Sequence, residues 1–277
     1  MHQKIMVFYL RCNFCPFRNT NFVIDMKERK LNIQINFNNF DEKVTDSFKE
    51  IANHVGNLFE YYLPKVSIIR VKKILVEFTN EPNDFFIIPE NLDADVVTIR
   101  TTFDFEKFDK MELVEKEGFV LQNLVDNLQI VFKKLKLNTN GLKFARDEII
   151  EREFELIVEL CGGEKLNRNK SITAKVIAEF FIGFMLISVN FYQKNNGLIR
   201  KVELFKTWPN RIFYQLFMKT AGWRDNEVFE VASSTKEITF QINIDGTVTT
   251  LYEPKDREVD GIREEIITLT KELFIKI

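Results

Sequence analysis

Carboxylates are concentrated between residues 147 and 159, and they form the densest set of groups that could do chemistry in this chain. The set consists of Asp147, Glu148, Glu151, Glu155 and Glu159. The glutamates recur at intervals of three and four residues, which predicts one face of a helix from Arg146 to Leu160. Such a face can bind a divalent metal or supply two carboxylates for hydrolysis. Because Arg146 and Arg152 are interleaved with the acids, we interpret the set as a solvated face available to a protein partner.

Imidazole chemistry is restricted to one position, because the chain contains only two histidines and one of them is His2. His54 lies in a predicted amphipathic helix, beside Val55 and four residues after Glu50. One interpretation is a general base oriented by the carboxylate of Glu50. The interpretation that we favour is a partly buried, hydrogen-bonded packing residue, so we predict no catalytic residue here.

The first 25 residues contain a C-x-x-C element, Cys12 to Cys15, after a short apolar run. A zinc ribbon needs a second pair of ligands, which Cys161 and His54 do not supply at a recognisable spacing. Met26 and the basic residues after it resemble a bacterial start, so residues 1–25 are interpreted as a leader outside the native protein. The alternative, that they are native, stays open at this point.

The remaining motifs also lack an obligatory partner residue. The run 162–165, Gly-Gly-Glu-Lys, follows the predicted third helix and fits a helix terminator better than a phosphate-binding loop. We therefore predict no cofactor and no metal ligand.

Trp208, Trp223 and Arg224 lie in or beside predicted loops, and Trp and Arg are common anchors of protein interfaces. Together with Glu148, Glu151 and Glu155, they are the predicted partner-binding residues.

Composition and charge exclude several classes of protein. The 277 residues include 45% hydrophobic and 29% charged side chains, with a net charge of −2. No concentrated basic stripe indicates nucleic-acid binding, and no apolar run is long enough for a membrane span. Aromatic residues are frequent, with 28 phenylalanines, and we assign most of them to the core. We expect a cytoplasmic, disulfide-free globular protein.

Hydrophobic periodicity predicts an α+β fold. Apolar residues alternate over 31–37 and then recur at helical spacing over 44–62, up to Pro64. The same order recurs over 94–137, where the helix is predicted from Leu121, and over 236–275. We predict antiparallel sheets with amphipathic helices on one face, built from recurring strand–helix units.

The last third of the chain is predicted to be rich in β-structure. Asn195-Asn196-Gly197 and Asp245-Gly246 indicate β-hairpins, whereas the pattern over 172–183 suits either a helix or a strand. A polar loop near residue 166 divides a predicted N-terminal α+β domain (26–166) from a β-rich α+β domain (167–277). One continuous domain is the alternative.

Two classes of function remain after these exclusions. We favour a non-catalytic protein-binding protein, of the kind found among toxin-neutralising immunity proteins and adaptors, whose partner is another protein. The alternative is a hydrolase that uses carboxylates and a divalent metal. The first is favoured because each catalytic constellation lacks an obligatory partner residue.

Overall fold

The fold is taken from a computed structural model, which describes residues 32–37, 42–66, 71, 73–80, 85–87, 96–193, 197–209, 220–233 and 236–252. The proposed leader, with Cys12 and Cys15, lies outside these residues, and so does the predicted last helix. The helices are α1 (Glu42–Tyr62), α2 (Phe105–Asp109), α3 (Leu113–Lys134) and α4 (Asn140–Glu151). The strands are β1 (Asn32–Phe37), β2 (Lys73–Thr79), β3 (Phe85–Ile87), β4 (Val96–Thr102), β5 (Leu156–Glu159), β6 (Lys165–Leu166), β7 (Ile172–Phe180), β8 (Met185–Gln193), β9 (Gly197–Thr207), β10 (Thr220–Trp223), β11 (Val228–Ala232), β12 (Ile238–Asn243) and β13 (Val248–Tyr252).

The N-terminal part combines a mixed sheet with long helices. Strands β1, β2 and β4 are parallel, and β3 pairs antiparallel with β4 at the edge. Parallel neighbours need a crossover, and α1 supplies it between β1 and β2. The helix begins and ends close to its predicted limits, and the residues of its apolar stripe from Phe48 to Leu58, including Val55, are buried.

Helix α3 is longer than its sequence pattern indicated, because it starts at Leu113 instead of Leu121. A capping box explains the early start: the Glu112 side chain accepts from the backbone of the first turn, and Glu115 accepts from the Glu112 N–H at 3.1 Å. The predicted stripe is buried from Leu121 to Phe132. Gly141, which follows the end of this pattern, lies in the first turn of α4.

The third helix was predicted from Arg146 to Leu160, and both its predicted start and its predicted end are wrong. Helix α4 covers Asn140–Glu151, and Glu153 and Phe154 then adopt left-handed φ values of 52° and 61°. This turn ends the helix, and the chain continues as β5, whose side chains alternate between buried and exposed. The glycines at 162 and 163, both with positive φ, therefore follow a strand instead of ending a helix.

Antiparallel sheets dominate the C-terminal part. One contains β5, β7, β8 and β9 in that order, with β6 also paired to β7, and the other contains β10 to β13. The segment 172–183, which the sequence left ambiguous, forms β7 and the turn after it. Both predicted hairpins are present as antiparallel pairs, β8 with β9 and β12 with β13.

These helices and sheets confirm the α+β class, with strand–helix order in the N-terminal part and antiparallel sheets in the C-terminal part. The described buried residues form one hydrophobic cluster that extends from Ile33 to Ile242. Strands β5 and β6 precede the predicted boundary near residue 166 and pair with β7, which follows it. The division into two domains stays a prediction, and this shared sheet favours the alternative of one continuous domain.

Among the described helices, none has the length and apolar character needed to cross a membrane.

Candidate protein-binding surface

The C-terminal turn of α1 places two tyrosines side by side at the surface. Tyr61 is 40% exposed, whereas Tyr62 packs partly against the hydrophobic core. Their ring centroids are 5.1 Å apart in an edge-to-face arrangement. The helix ends here because Pro64 cannot continue it, and Leu63, between Tyr62 and Pro64, is buried. The aromatic pair therefore lies at the end of a rigid element.

The turn between α4 and β5 lies against this pair of rings. The Tyr62 hydroxyl donates to the Glu155 carbonyl at 3.2 Å, and the Arg152 guanidinium lies over the Tyr62 ring at 5.4 Å from its centroid. The guanidinium also donates from Nε to Glu148 Oε2 at 3.2 Å. A cation that contacts both an aromatic face and a carboxylate fixes the position of both partners.

The electrostatics agree with this geometry. The hydrogen bond to Glu148 raises the pKa of Arg152, and the charge of Glu151 acts in the same direction. Burial raises the pKa of the Tyr62 hydroxyl, against the opposing effect of the Arg152 charge. Both groups therefore keep their protons near neutral pH, with Arg152 charged and Tyr62 neutral. We call this region the aromatic–acidic surface and define it as Tyr61, Tyr62, Glu148, Glu151, Arg152 and Glu155.

The predicted carboxylates do not share one helix face, which corrects the prediction made from their spacing. Glu148 and Glu151 lie on α4, and Glu155 lies in the turn beyond its end. The left-handed turn nevertheless brings Glu155 next to Tyr62, so these three predicted residues border one surface. Glu159 is separate, because it lies on β5 and its Oε1 accepts from Lys175 Nζ at 2.8 Å.

Trp208 lies in a loop that is hydrogen-bonded to helix α1. Its side chain is 59% exposed and follows the last residue of β9. The next residue, Pro209, accepts a hydrogen bond through its carbonyl from Asn57 Nδ2 at 2.7 Å. Asn57 lies one turn before Tyr61 on the same side of α1. The loop that carries Trp208 is therefore fixed to the helix that presents Tyr61.

Trp223 and Arg224 have a different environment from Trp208. The Trp223 ring packs against Phe191 and Phe229, at centroid distances of 5.7 and 5.3 Å, and its Nε1 donates to the Lys165 carbonyl at 2.8 Å. Arg224 pairs with Asp225 at 3.2 Å. The Trp223 contacts connect β10 to β6 and β8, so this ring serves packing, and its predicted role in partner binding remains a prediction.

His54 is hydrogen-bonded, as its interpretation as a packing residue expected, but it is almost completely buried instead of partly buried. Its Nε2 lies 3.1 Å from the Phe154 carbonyl and 3.5 Å from Glu117 Oε1. Because a carbonyl only accepts, we assign the ring hydrogen to Nε2. Nδ1 is buried and has no hydrogen-bond partner among the described residues. A second proton on this ring would therefore be unsatisfied, and burial lowers the pKa of His54.

Glu117, the carboxyl group next to His54, was missed by the sequence analysis. It is only 7% exposed, and burial raises its pKa to about 7. The sequence pattern predicted this helix only from Leu121, and Glu50 was the carboxylate considered as the partner of His54. A signal was present, since Glu117 precedes Val120, Leu121 and Leu124 by three, four and seven residues and so lies on the apolar stripe of α3.

Other reactive groups in the described part of the chain are dispersed. The Cys161 thiol is partly buried, and burial raises its pKa to about 11, so it is protonated near neutral pH. Within the described ranges, no three His, Cys, Asp or Glu side chains are grouped so that they could hold a metal ion.

Comparison of the chain with models of protein families, with curated proteins and with solved structures found no match.

Proposed function

We propose that the protein is a non-catalytic protein-binding protein that uses the aromatic–acidic surface to bind a positively charged segment of its partner. The single observation that carries this proposal is the arrangement at the end of α1. There the exposed Tyr61 ring packs against Tyr62, and Arg152 lies over the Tyr62 ring while it donates to Glu148.

The chemistry of the surface indicates what kind of partner it would bind. Tyrosine and arginine are common energetic centres of interfaces, because a flat ring gives a large contact area at a small loss of conformational entropy. Glu151 and Glu155 are exposed; the Glu155 carbonyl accepts from Tyr62, and Glu151 directly precedes Arg152. Lysine or arginine side chains of a partner would meet these carboxylates, while their aliphatic stems would pack on the ring of Tyr61.

The position of His54 supports a role without catalysis. A general base must reach the proton that it removes, within hydrogen-bond distance or through one water molecule. The described contacts of His54 instead lie inside the protein, with the Phe154 carbonyl and Glu117. The ring is buried, and its hydrogen on Nε2 is already donated.

Charge reversal on the surface tests the proposal. The wild type, the double variant Glu151→Lys/Glu155→Lys and the control Glu227→Lys would be immobilised and exposed to extract of the source organism. Glu227 is an equally exposed glutamate in the turn between β10 and β11. Captured proteins would be quantified by mass spectrometry.

We expect one protein to be captured in stoichiometric amount by the wild type and by the control variant, and at least about tenfold less by the double variant. The proposal is wrong if the double variant captures the same protein equally well, or if the wild type captures none. Circular dichroism of each variant provides the check on folding.

A further inference from the structure

Strand β13 is an outer strand with an unusual surface. Among the described residues it pairs only with β12, so it forms one edge of the sheet β10–β13. All four residues from Val248 to Leu251 are exposed, including the apolar Val248 (36%) and Leu251 (37%). Its sequence, Val-Thr-Thr-Leu-Tyr, contains no charge and no proline and has a high β-propensity.

The hydrogen bonds of the hairpin show which backbone groups of β13 face away from β12. Asn243 donates to the Thr247 carbonyl at 2.9 Å where the hairpin closes, and Ile242 lies opposite Val248. In an antiparallel pair, hydrogen-bonded and non-hydrogen-bonded positions alternate. The N–H and C=O groups of Thr249 and Leu251 therefore point to β12. Those of Val248, Thr250 and Tyr252 point outward from the sheet.

Other edges of the C-terminal sheets are covered or charged. Strand β10, on the opposite side of the same sheet, lies against β6, and the Trp223 indole donates across that junction. Strand β5 carries Glu159, which is paired with Lys175. Charges and coverage are the usual means by which proteins prevent one sheet edge from pairing with another. Strand β13 has no such protection in its own sequence.

We propose that β13 pairs antiparallel with β13 of a second copy of this chain, about a two-fold axis at Thr250. Thr250 then lies opposite its own copy, and Val248 lies opposite Tyr252. The outward groups of both strands are satisfied together by about six hydrogen bonds. The result is one sheet of eight strands, four from each copy.

A second copy fits this edge because the strand is complementary to itself. Two-fold pairing of the strand residues brings no like charges together, and the pair of threonines at position 250 is a favourable cross-strand pair. The contact is isologous, so it closes after two copies and does not extend into a fibre. This inference is independent of the aromatic–acidic surface, since it concerns a different strand.

Sedimentation velocity of the full chain, over about a hundredfold range of concentration, tests the proposal. We expect a monomer–dimer equilibrium in the wild type. Thr250→Lys places two positive charges opposite each other at the axis and should weaken dimerisation at least about tenfold. Thr220→Lys is the matched control, because Thr220 is an exposed threonine on β10, at the opposite edge. It should dimerise like the wild type.

A second variant and a second measurement separate this effect from misfolding. Val248→Pro removes an outward N–H without removing a bond to β12, so it should weaken the dimer while the hairpin remains. In hydrogen exchange, dimerisation should slow the amides of Val248, Thr250 and Tyr252 and leave Thr249 and Leu251 unchanged. A wild type that is monomeric throughout, or equal weakening by Thr250→Lys and Thr220→Lys, would overturn the proposal.

Discussion

Helix α1 contacts the α4–β5 turn at two points, one buried and one exposed, and the two points have opposite physical properties. In the middle of the helix, His54 donates to the Phe154 carbonyl beside Glu117, in surroundings that disfavour charge on both side chains. At its end, Tyr62 donates to the Glu155 carbonyl among exposed charged groups. Polar groups on one helix can therefore differ in burial and in the charge that their surroundings favour. We expect the buried pair to influence how stability depends on pH, and we propose that the exposed end of the helix contributes to partner binding.

The largest expected effect concerns Trp223, which packs against the core although its sequence suggested a role in partner binding. Trp223→Ala removes a ring packed against Phe191 and Phe229 and leaves the Lys165 carbonyl without its donor. We expect a loss of about 3 to 5 kcal/mol in the free energy of unfolding. Urea denaturation would measure it, with Trp208→Ala as the matched control.

Trp208→Ala should change the unfolding free energy by no more than about 0.5 kcal/mol, because its side chain is largely exposed. If the two tryptophan variants lose similar stability, the distinction between a packed Trp223 and an exposed Trp208 is wrong.

The second-largest expected effect concerns the protonation of Glu117, which is buried beside His54. Burial raises the pKa of Glu117 from 4.5 to about 7, so the folded state holds this proton more tightly than the unfolded state. The resulting stabilisation is complete below pH 4.5 and is lost as the pH rises through 7. Glu117→Gln has no proton to lose, and at pH 8 it should be more stable than the wild type by about 2 kcal/mol.

Chemical denaturation of both proteins from pH 4 to pH 9 would measure this difference, which should disappear at the acidic end. His54 contributes with the opposite sign: its pKa is lowered, so its stabilisation is present above pH 6.5 and is lost on acidification. The remaining pH dependence of Glu117→Gln should therefore have this opposite slope. A variant that is less stable than the wild type at pH 8 would show that Glu117 is a charged partner of His54 instead.

The smallest effect concerns His54 itself. His54→Gln keeps a side-chain donor that can reach the Phe154 carbonyl but removes the titrating ring. We expect a loss of about 1 kcal/mol in unfolding free energy and no change in partner capture. Thermal denaturation and the capture assay would be run together. If His54→Gln abolishes an activity of the protein while folding and partner capture remain intact, the non-catalytic assignment is wrong.

Sequence reasoning succeeded where one periodicity covered a whole element. The stripe of α1 and the alternation of β12 have a single period, and Pro64 and Gly246 mark the ends of these patterns. It failed at α4 and β5, because Glu148 to Glu159 keeps helical spacing across a turn made by two non-glycine residues with positive φ. Glutamate and phenylalanine seldom adopt this conformation, so no local signal marks it.

The candidate site was predictable only in part, for a related reason. Glu148, Glu151, Glu155 and Trp208 were identified from their residue types. The tyrosines beside them were not, because Tyr62 contacts a residue 93 positions away in the chain. Glu117 was missed because its helix begins earlier than the apolar pattern. Parallel pairing of β1, β2 and β4 likewise depends on contacts that periodicity does not record.

The central claim, that binding resides at the exposed end of α1 and not at its buried middle, is tested most directly by calorimetric titration of the captured partner. Tyr61→Ala should weaken binding by about 2 kcal/mol, or roughly thirtyfold in Kd, with little change in unfolding free energy. Glu117→Gln should bind like the wild type. Unchanged affinity in Tyr61→Ala, or loss of affinity in a folded Glu117→Gln, would contradict the account.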